Sequence, residues 1–196
     1  MTTRHVNVID RRVARTQKLL RDALHSLIRE RDYDSIAVKE ILDRADVGRS
    51  AFYTHFRDKD ELLASCIFDL LGSVLLTHSQ AGDDRSASIL WFSLPIFEHH
   101  ERHRRAGELR LGARGRAILH GQLQNILTEL LSREMSGRSH RRQKIAGRIP
   151  PDLLVQHVAS TFILVLNWWM ESKSPLPAKE VNGLFLALVM PALGNP

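Results

Sequence analysis

The stretch that decides the fold is "ADVGRSAFYTHF", residues 45–56. Asp46, Val47 and Gly48 form a short polar turn. Three aromatic residues follow: Phe52, Tyr53 and Phe56. Helical geometry puts positions 52 and 56 on one face and Tyr53 about 100° round from Phe52. Arg49, Ser50, Thr54 and His55 lie between them. A segment of two turns thus carries a dense apolar anchor together with a polar face for which the chain offers no obvious partner.

The flanking sequence also has helical period. Val13, Leu19, Leu20, Ala23, Leu24, Leu27 and Ile28 make an apolar stripe, which predicts a helix over about 11–30. After "ERDYDSIA", the residues Val38, Ile41, Leu42 and Ala45 make a second, short stripe. The turn at 46–48 then leads to a third helix over about 49–55. In "RDKDELL", Asp58 suits a helix cap and Glu61 stands three residues on, as a capping box requires. This opens a fourth helix to about Leu76, with Leu62, Leu63, Ile67, Leu70, Leu71 and Val74 inward. Helices as short as the second and third are marginal alone. Packed on the first, they would bury Leu24, Leu27, Ile41, Ala45, Val47, Phe52 and Phe56. That is the pattern of a helix-turn-helix head, whose second helix presents its N-terminal residues to a DNA major groove. By pattern alone, a helical hairpin with a solvated face fits as well.

Further along, "HSQAGDDRSAS" reads as a loop and about 86–99 as a helix. "HERHRRAGELRLGARG" is a charged, glycine-containing stretch. "AILHGQLQNILTELLSREM" is amphipathic, and "SGRSHRRQKIAGRIPP" reads as a basic linker. Pro151 suits the first turn of a helix to about Glu171. "SKSPLP" ends that helix, and a last one covers about 178–190. No period-2 strand, phosphate loop or repeat interrupts this series. The expected fold is all-α, with about nine helices: a helix-turn-helix head over 1–57 and a larger helical body over 58–196.

The 196 residues are 43% apolar, enough for a sizeable core and unlike a disordered chain. The single cysteine excludes an intramolecular disulfide and fits a reducing compartment. "MTTRHVNVIDRR" has no apolar signal-peptide core. The most apolar run, 158–170, is broken by Ser160, Thr161 and Asn167, and is shorter than the ~20 residues that span a bilayer. A soluble, cytoplasmic protein with no membrane segment is expected. The net charge of +6 favours an acidic partner, but its distribution does not point to the opening stretch. Residues 1–60 hold 13 basic and 10 acidic side chains, whereas 101–148 hold 12 and 4.

From about Arg15 to Leu63 the chain resembles the DNA-binding head of TetR-type transcriptional regulators. The resemblance rests on the first helix, "YDSIAVKEIL", "ADVGRSAFYTHF" and "RDKDELL". It implies a cytoplasmic, homodimeric repressor that binds double-stranded DNA at a palindromic operator and is released by a small-molecule effector. In that reading Arg49 opens the recognition helix and can fork onto guanine O6 and N7. Ser50 and Thr54 meet base edges or a thymine methyl, and Ala51 lets the helix approach closely. Tyr53 and His55 donate to phosphates, although packing alone also accounts for Tyr53. Lys59 contacts backbone phosphate, and Lys39 a base or a phosphate. Phe52 and Phe56 belong to the core. Arg4, Arg11, Arg12 and Arg15 form an arm onto the DNA, or a disordered basic tail. Two positions depart from the family pattern. Ala37 stands where a phosphate-binding Thr or Ser usually opens the second helix. Asp46 stands where the turn usually has Gly.

The body offers candidates of other kinds. "NWWM" puts Trp168 and Trp169 on adjacent faces of a helix that is apolar nearly all round. Pairing the last two helices with their copies would form a dimer interface, with Phe162, Trp169, Leu184 and Leu188 in it. An effector pocket is expected among Trp91, Phe92, Phe97, Leu123 and Phe162, each of which also suits ordinary core. Arg110, Arg114 and Arg116 could meet an anionic ligand, or form a solvated face. "FEHHERHRR" brings His99, His100 and His103 within reach of one another, but Arg102, Arg104 and Arg105 oppose a cation, so no metal is expected. No cofactor motif and no nucleophile–base set is present, and no enzyme is expected. The alternative kept open is a helical ligand-binding or metal-dependent enzyme whose first helices only pack. Cys66 reads as a buried thiol.

Overall fold

The computed structural model describes residues 3–79, 89–105, 110–142, 149–172 and 174–193, with side chains for all of these but 3–10, 77–79, 103–105 and 136–142. Among them are eight α-helices and no strand: α1 Thr3–Glu30, α2 Val38–Ala45, α3 Arg49–His55, α4 Lys59–Ser79, α5 Ser93–Arg105, α6 Gly112–Arg142, α7 Pro151–Glu171 and α8 Ala178–Val189. A single 3-10 turn, Tyr33–Ser35, joins α1 to α2. The helices expected at 38–45, 49–55 and 151–171 appear at those residues. Three others differ. α1 begins at Thr3, well before position 11. α5 starts at Ser93 and runs on to Arg105. α6 extends from Gly112 to Arg142, through residues read as a charged connection and a basic linker. The loop expected after α4 and the remainder of that linker fall mostly outside the described residues, as do the side chains of Arg4 and His103.

The chain divides into two compact units. The first comprises residues 1–69 and 107–119, the second 70–106 and 120–196. In the first unit α1 packs on α2 and α3, and α2 on α3. Leu20, Leu24, Leu27 and Ile28 of α1 meet a core formed with Ile41, Leu42, Ala45, Phe52, Phe56, Leu62, Leu63 and Ile67, all buried. Of the residues expected inward here, Val47 is half-buried. Leu19, read on the α1 stripe, turns out instead and is exposed. Cys66 is half-buried on α4, and burial pushes its thiol up to about 12.

In the second unit α8 packs on both α5 and α7. Its core is an aromatic cluster. Phe97 and Phe162 lie 4.8 Å apart between ring centroids, Phe92 and Phe162 5.6 Å, and Phe162 and Phe185 5.4 Å. Trp169 closes the cluster against Phe97 at 5.9 Å, and its indole N–H donates to the Leu176 carbonyl at 3.0 Å. The buried Ser93 hydroxyl lies 2.7 Å from Asn182 Oδ1 and ties α5 to α8. Leu70 of α4, expected inward, is exposed. By length and composition α7 could cross a membrane, since the helix is longer than its most apolar run. Here Leu154, Val155, Val158, Ala159, Phe162, Val165, Leu166 and Trp169 make its buried face, as in a core helix.

Candidate nucleic-acid interface

Helix α3 is too short to hold itself, and its aromatics hold it. Phe52 has no exposed surface and Phe56 almost none, with their ring centroids 5.9 Å apart. Tyr53 stands edge-on to Phe52 at 5.2 Å, yet remains 55% exposed. Arg49, Ser50 and Thr54 are exposed, and Ala51 and His55 are half-buried. The Thr54 hydroxyl donates to the Ser50 carbonyl at 2.9 Å, so its oxygen is left as an acceptor and its methyl as an apolar contact. Lys39 is exposed on α2. Arg11, Arg12 and Arg15 are exposed on α1, in a helix rather than an irregular arm.

The turn before α3 depends on Asp46, at φ 52° and ψ 48°. It is the one non-glycine residue with positive φ among the described residues. In this left-handed state the amides of Asp46 and Val47 both donate to Leu42 O and close the end of α2. At the other end of α2, Ala37 has no side-chain oxygen to cap with. Glu40 supplies the other half of a capping box: its carboxylate accepts the Ala37 N–H at 2.9 Å and pairs with Arg31. The Ala37 N–H first, and Arg31 second, hold this carboxyl below the usual range. Near the C-terminal end, Arg44 forks onto Glu30 at 2.6 and 2.9 Å and reaches Ser26 at 2.7 Å. Helix α2 is therefore clamped to the end of α1 from both of its ends.

Helix α4 starts as its sequence requires. Asp58 Oδ1 accepts the amides of Asp60 and Glu61, each at 2.9 Å. Glu61 reaches back one residue further than a capping box does, to the Arg57 amide at 2.7 Å. The head thus has three helices, with the polar face of the two-turn α3 outward, and is followed by a capped fourth helix. Residues 20–66 match the family described as bacterial regulatory proteins, tetR family. Over 60 residues the chain is 38% identical to the uncharacterised HTH-type transcriptional regulator YxbF of Bacillus subtilis (strain 168). That match covers 30% of this chain and only 16% of YxbF. A TetR transcriptional regulator from Streptococcus agalactiae 2603V is similar along nearly the whole length: 26% identity, TM-score 0.54, 94% of this chain and 98% of that one.

The head of this chain, residues 20–66, is of the TetR type.

RolR, solved in complex with its ligand resorcinol, shares the fold at TM-score 0.62 and 21% identity, over 95% of this chain and 91% of that one. The TetR-type head exposes Lys39, Arg49, Ser50, Tyr53 and Thr54, and half-exposes Ala51 and His55. Lys59 is engaged differently. Its ammonium donates to the carbonyls of Tyr33 at 3.0 Å, Asp34 at 3.4 Å and Ile36 at 2.8 Å, and sits 4.5 Å over the Tyr33 ring. All three of its N–H groups have protein acceptors.

In the second unit Phe92, Phe97 and Phe162 meet in the aromatic cluster, Leu123 is buried, and Trp91 is half-buried. Of the residues expected at a dimer interface, Leu184 and Leu188 are exposed, but Phe162 and Trp169 are fully buried within the chain. Trp168, 44% exposed, is the outward one of the pair. Among the described residues no group of three metal-ligating side chains comes together. His100 packs against Trp169 at 5.3 Å. Sequence reading did not single out Tyr33 or Asp60, and Arg114, read as a possible contact for an anionic ligand or a solvated residue, pairs with Asp60 of the head. The available signal was "LGARG", where Gly112 and Gly115, three apart, mark a close approach.

Proposed function

We propose that this protein is a TetR-type transcriptional repressor that binds a palindromic operator as a homodimer and leaves it when a small effector binds. The observation that carries this reading is the division of labour on α3. Phe52 and Phe56 are spent on the core, while Arg49, Ser50, Tyr53 and Thr54 stand exposed together. Arg49 is assigned to a guanine edge, Ser50 and Thr54 to base edges or a thymine methyl, and Ala51 to close approach. Tyr53 and His55 are assigned to phosphates, and Lys39 to a base or a phosphate. Lys59 is left out of the contact set, because its donors are used on carbonyls.

The dimer is assigned to the outer faces of α7 and α8. Leu153, Leu164 and Trp168 lie on one stripe of α7, and Leu184 and Leu188 lie one turn apart on α8; all five are exposed. A dimer would set two recognition helices on half-sites about one helical turn apart. The effector is assigned to the aromatic region of the second unit, around Trp91, Phe92, Phe97, Leu123 and Phe162. The cytoplasm is the compartment where such a regulator meets DNA. The test is selection of duplexes from a random pool, followed by titration of the selected and a scrambled duplex over a salt series. Enrichment of a two-fold symmetric sequence, bound at least about a thousandfold more tightly, is expected. Equal affinity for the two duplexes removes the assignment.

A further inference from the structure

The beginning of α6, about fifty residues downstream of the helix-turn-helix, is folded into the same unit. The backbone makes the first contacts. The Tyr33 amide donates to Arg110 O at 2.8 Å, the Arg110 amide to Ile28 O at 3.4 Å, and the Arg110 guanidinium to Glu30 O at 3.0 Å. These satisfy carbonyls that the end of α1 leaves open. Asp34 caps α6 from outside it, its Oδ2 accepting the amides of Ala113 at 3.1 Å and Arg114 at 3.4 Å. Gly112 has φ +59°, and a Cβ there would clash with Asp32 Oδ1 and lie 2.6 Å from Asp34 Oδ2. A Cβ on Gly115 would lie 3.2 Å from the Tyr33 ring. A side chain at Gly112 would have to adopt a positive φ and displace the Asp32 and Asp34 carboxylates that seat the contact.

Side chains complete it. Tyr33 is fully buried, and its hydroxyl donates to Asp60 Oδ1 at 2.5 Å. Arg114 forks onto the other oxygen, Oδ2, through Nε at 2.7 Å and Nη2 at 2.5 Å. Asp60 belongs to the first turn of α4, immediately after α3, and Tyr33 lies in the turn immediately before α2. The bridge therefore grips the chain where it enters and where it leaves the α2–α3 pair.

We propose that the first turn of α6 is a working part of the DNA-binding head: the Tyr33–Asp60–Arg114 bridge, seated by Gly112 and Asp34, positions α2 and α3 and so sets operator discrimination. This rests on reading α3 as the base-contacting helix. Arg114 is a positioning residue and touches no DNA. An exposed ion pair alone would contribute little. This one fixes a carboxylate whose second oxygen holds a buried phenol.

The test uses the full chain with Arg114→Gln, Gly112→Ala, Asp60→Asn and the Asp60→Asn/Arg114→Gln double variant. Affinities for the selected and scrambled duplexes are measured over a salt series at a temperature where each variant stays folded. Arg114→Gln and Gly112→Ala should each weaken the selected duplex by about tenfold and the scrambled one by less than about twofold, and the double variant should lose no more than its worse single. The salt slope should stay unchanged, whereas an arginine on a phosphate would lower it by about 1. Amide hydrogen exchange without DNA reads the same contact independently, and Arg114→Gln should speed exchange across residues 38–55. Unchanged discrimination in both single variants, or a lowered salt slope for Arg114→Gln, overturns the proposal. If the unmutated chain itself does not discriminate, the functional reading falls. Exchange then decides the positioning role, and unchanged rates over 38–55 overturn that too.

Discussion

Asp46 shows how one residue can carry a turn against its own preference. A left-handed backbone costs an ordinary L-residue about 1–2 kcal/mol, and Asp tolerates it better than most because its short side chain bonds locally. Glycine adopts the state without that cost, but loses more freedom on folding. Asp46→Gly is expected to raise stability by about 0.5–1 kcal/mol in urea unfolding. It also removes a carboxylate beside the recognition helix, so affinity for scrambled DNA at low salt should rise. The base contact proposed for Arg49 and the phosphate contact proposed for Tyr53 are separable by substitution. Arg49→Ala should cost about 1–3 kcal/mol of discrimination between selected and scrambled duplex, whereas Tyr53→Phe should weaken both alike. Competition titrations read both. Phe52 and Phe56 were legible from their spacing of four alone. Lys59 was not, because sequence shows a cation near a helix start but not the three carbonyls that the chain folds beneath it.

At the scale of elements, legibility followed the width of the apolar stripe. Helices α2, α3 and α7 have residues that must be buried and a turn or a proline beside them, so their limits could be read. The last part of α6, "SGRSHRR", carries no apolar stripe, and periodicity had nothing to act on there. The docking of residues 110–115 on the turn before α2 depends on contacts eighty residues apart, and the Gly112–Gly115 spacing marks a close approach without naming its partner. That docking predicts an acid response. Burial raises Asp60, but the Tyr33 hydroxyl and the Arg114 guanidinium outweigh it, with Lys59 adding to them, and hold its carboxyl below the usual range. A carboxyl lowered on folding stabilises the protein above its unfolded pKa of ~3.9, and this contribution fades as pH falls through the lower folded value. Asp60→Asn should therefore be less stable than the unmutated chain at neutral pH, and the gap should close in acid. Urea midpoints followed from neutral pH into acid read this, and a gap that does not narrow as pH falls would mean that Asp60 acts by shape rather than by charge.

At the scale of the whole molecule, the question is what covers the outer faces of α7 and α8. Sequence placed both tryptophans on a helix apolar nearly all round and could not divide the work between them. The division comes from packing. Trp169 fills the aromatic cluster with Phe97 and donates its indole N–H to Leu176 O, whereas Trp168 stays 44% exposed in line with Leu164. Water-exposed Leu164, Leu184 and Leu188, at 63, 43 and 54%, make a strip of the kind a second copy covers. The buried cluster and the exposed strip should then fail in different ways. Trp169→Ala empties core and should cost about 3–5 kcal/mol of stability. Leu164→Glu with Leu188→Glu should leave the helical signal intact while sedimentation changes from dimer to monomer. Operator affinity should fall with it, since a monomer holds a single half-site and loses the gain of joined binding. A double variant that still sediments as a dimer would place the interface elsewhere, and the exposed leucines would need another partner.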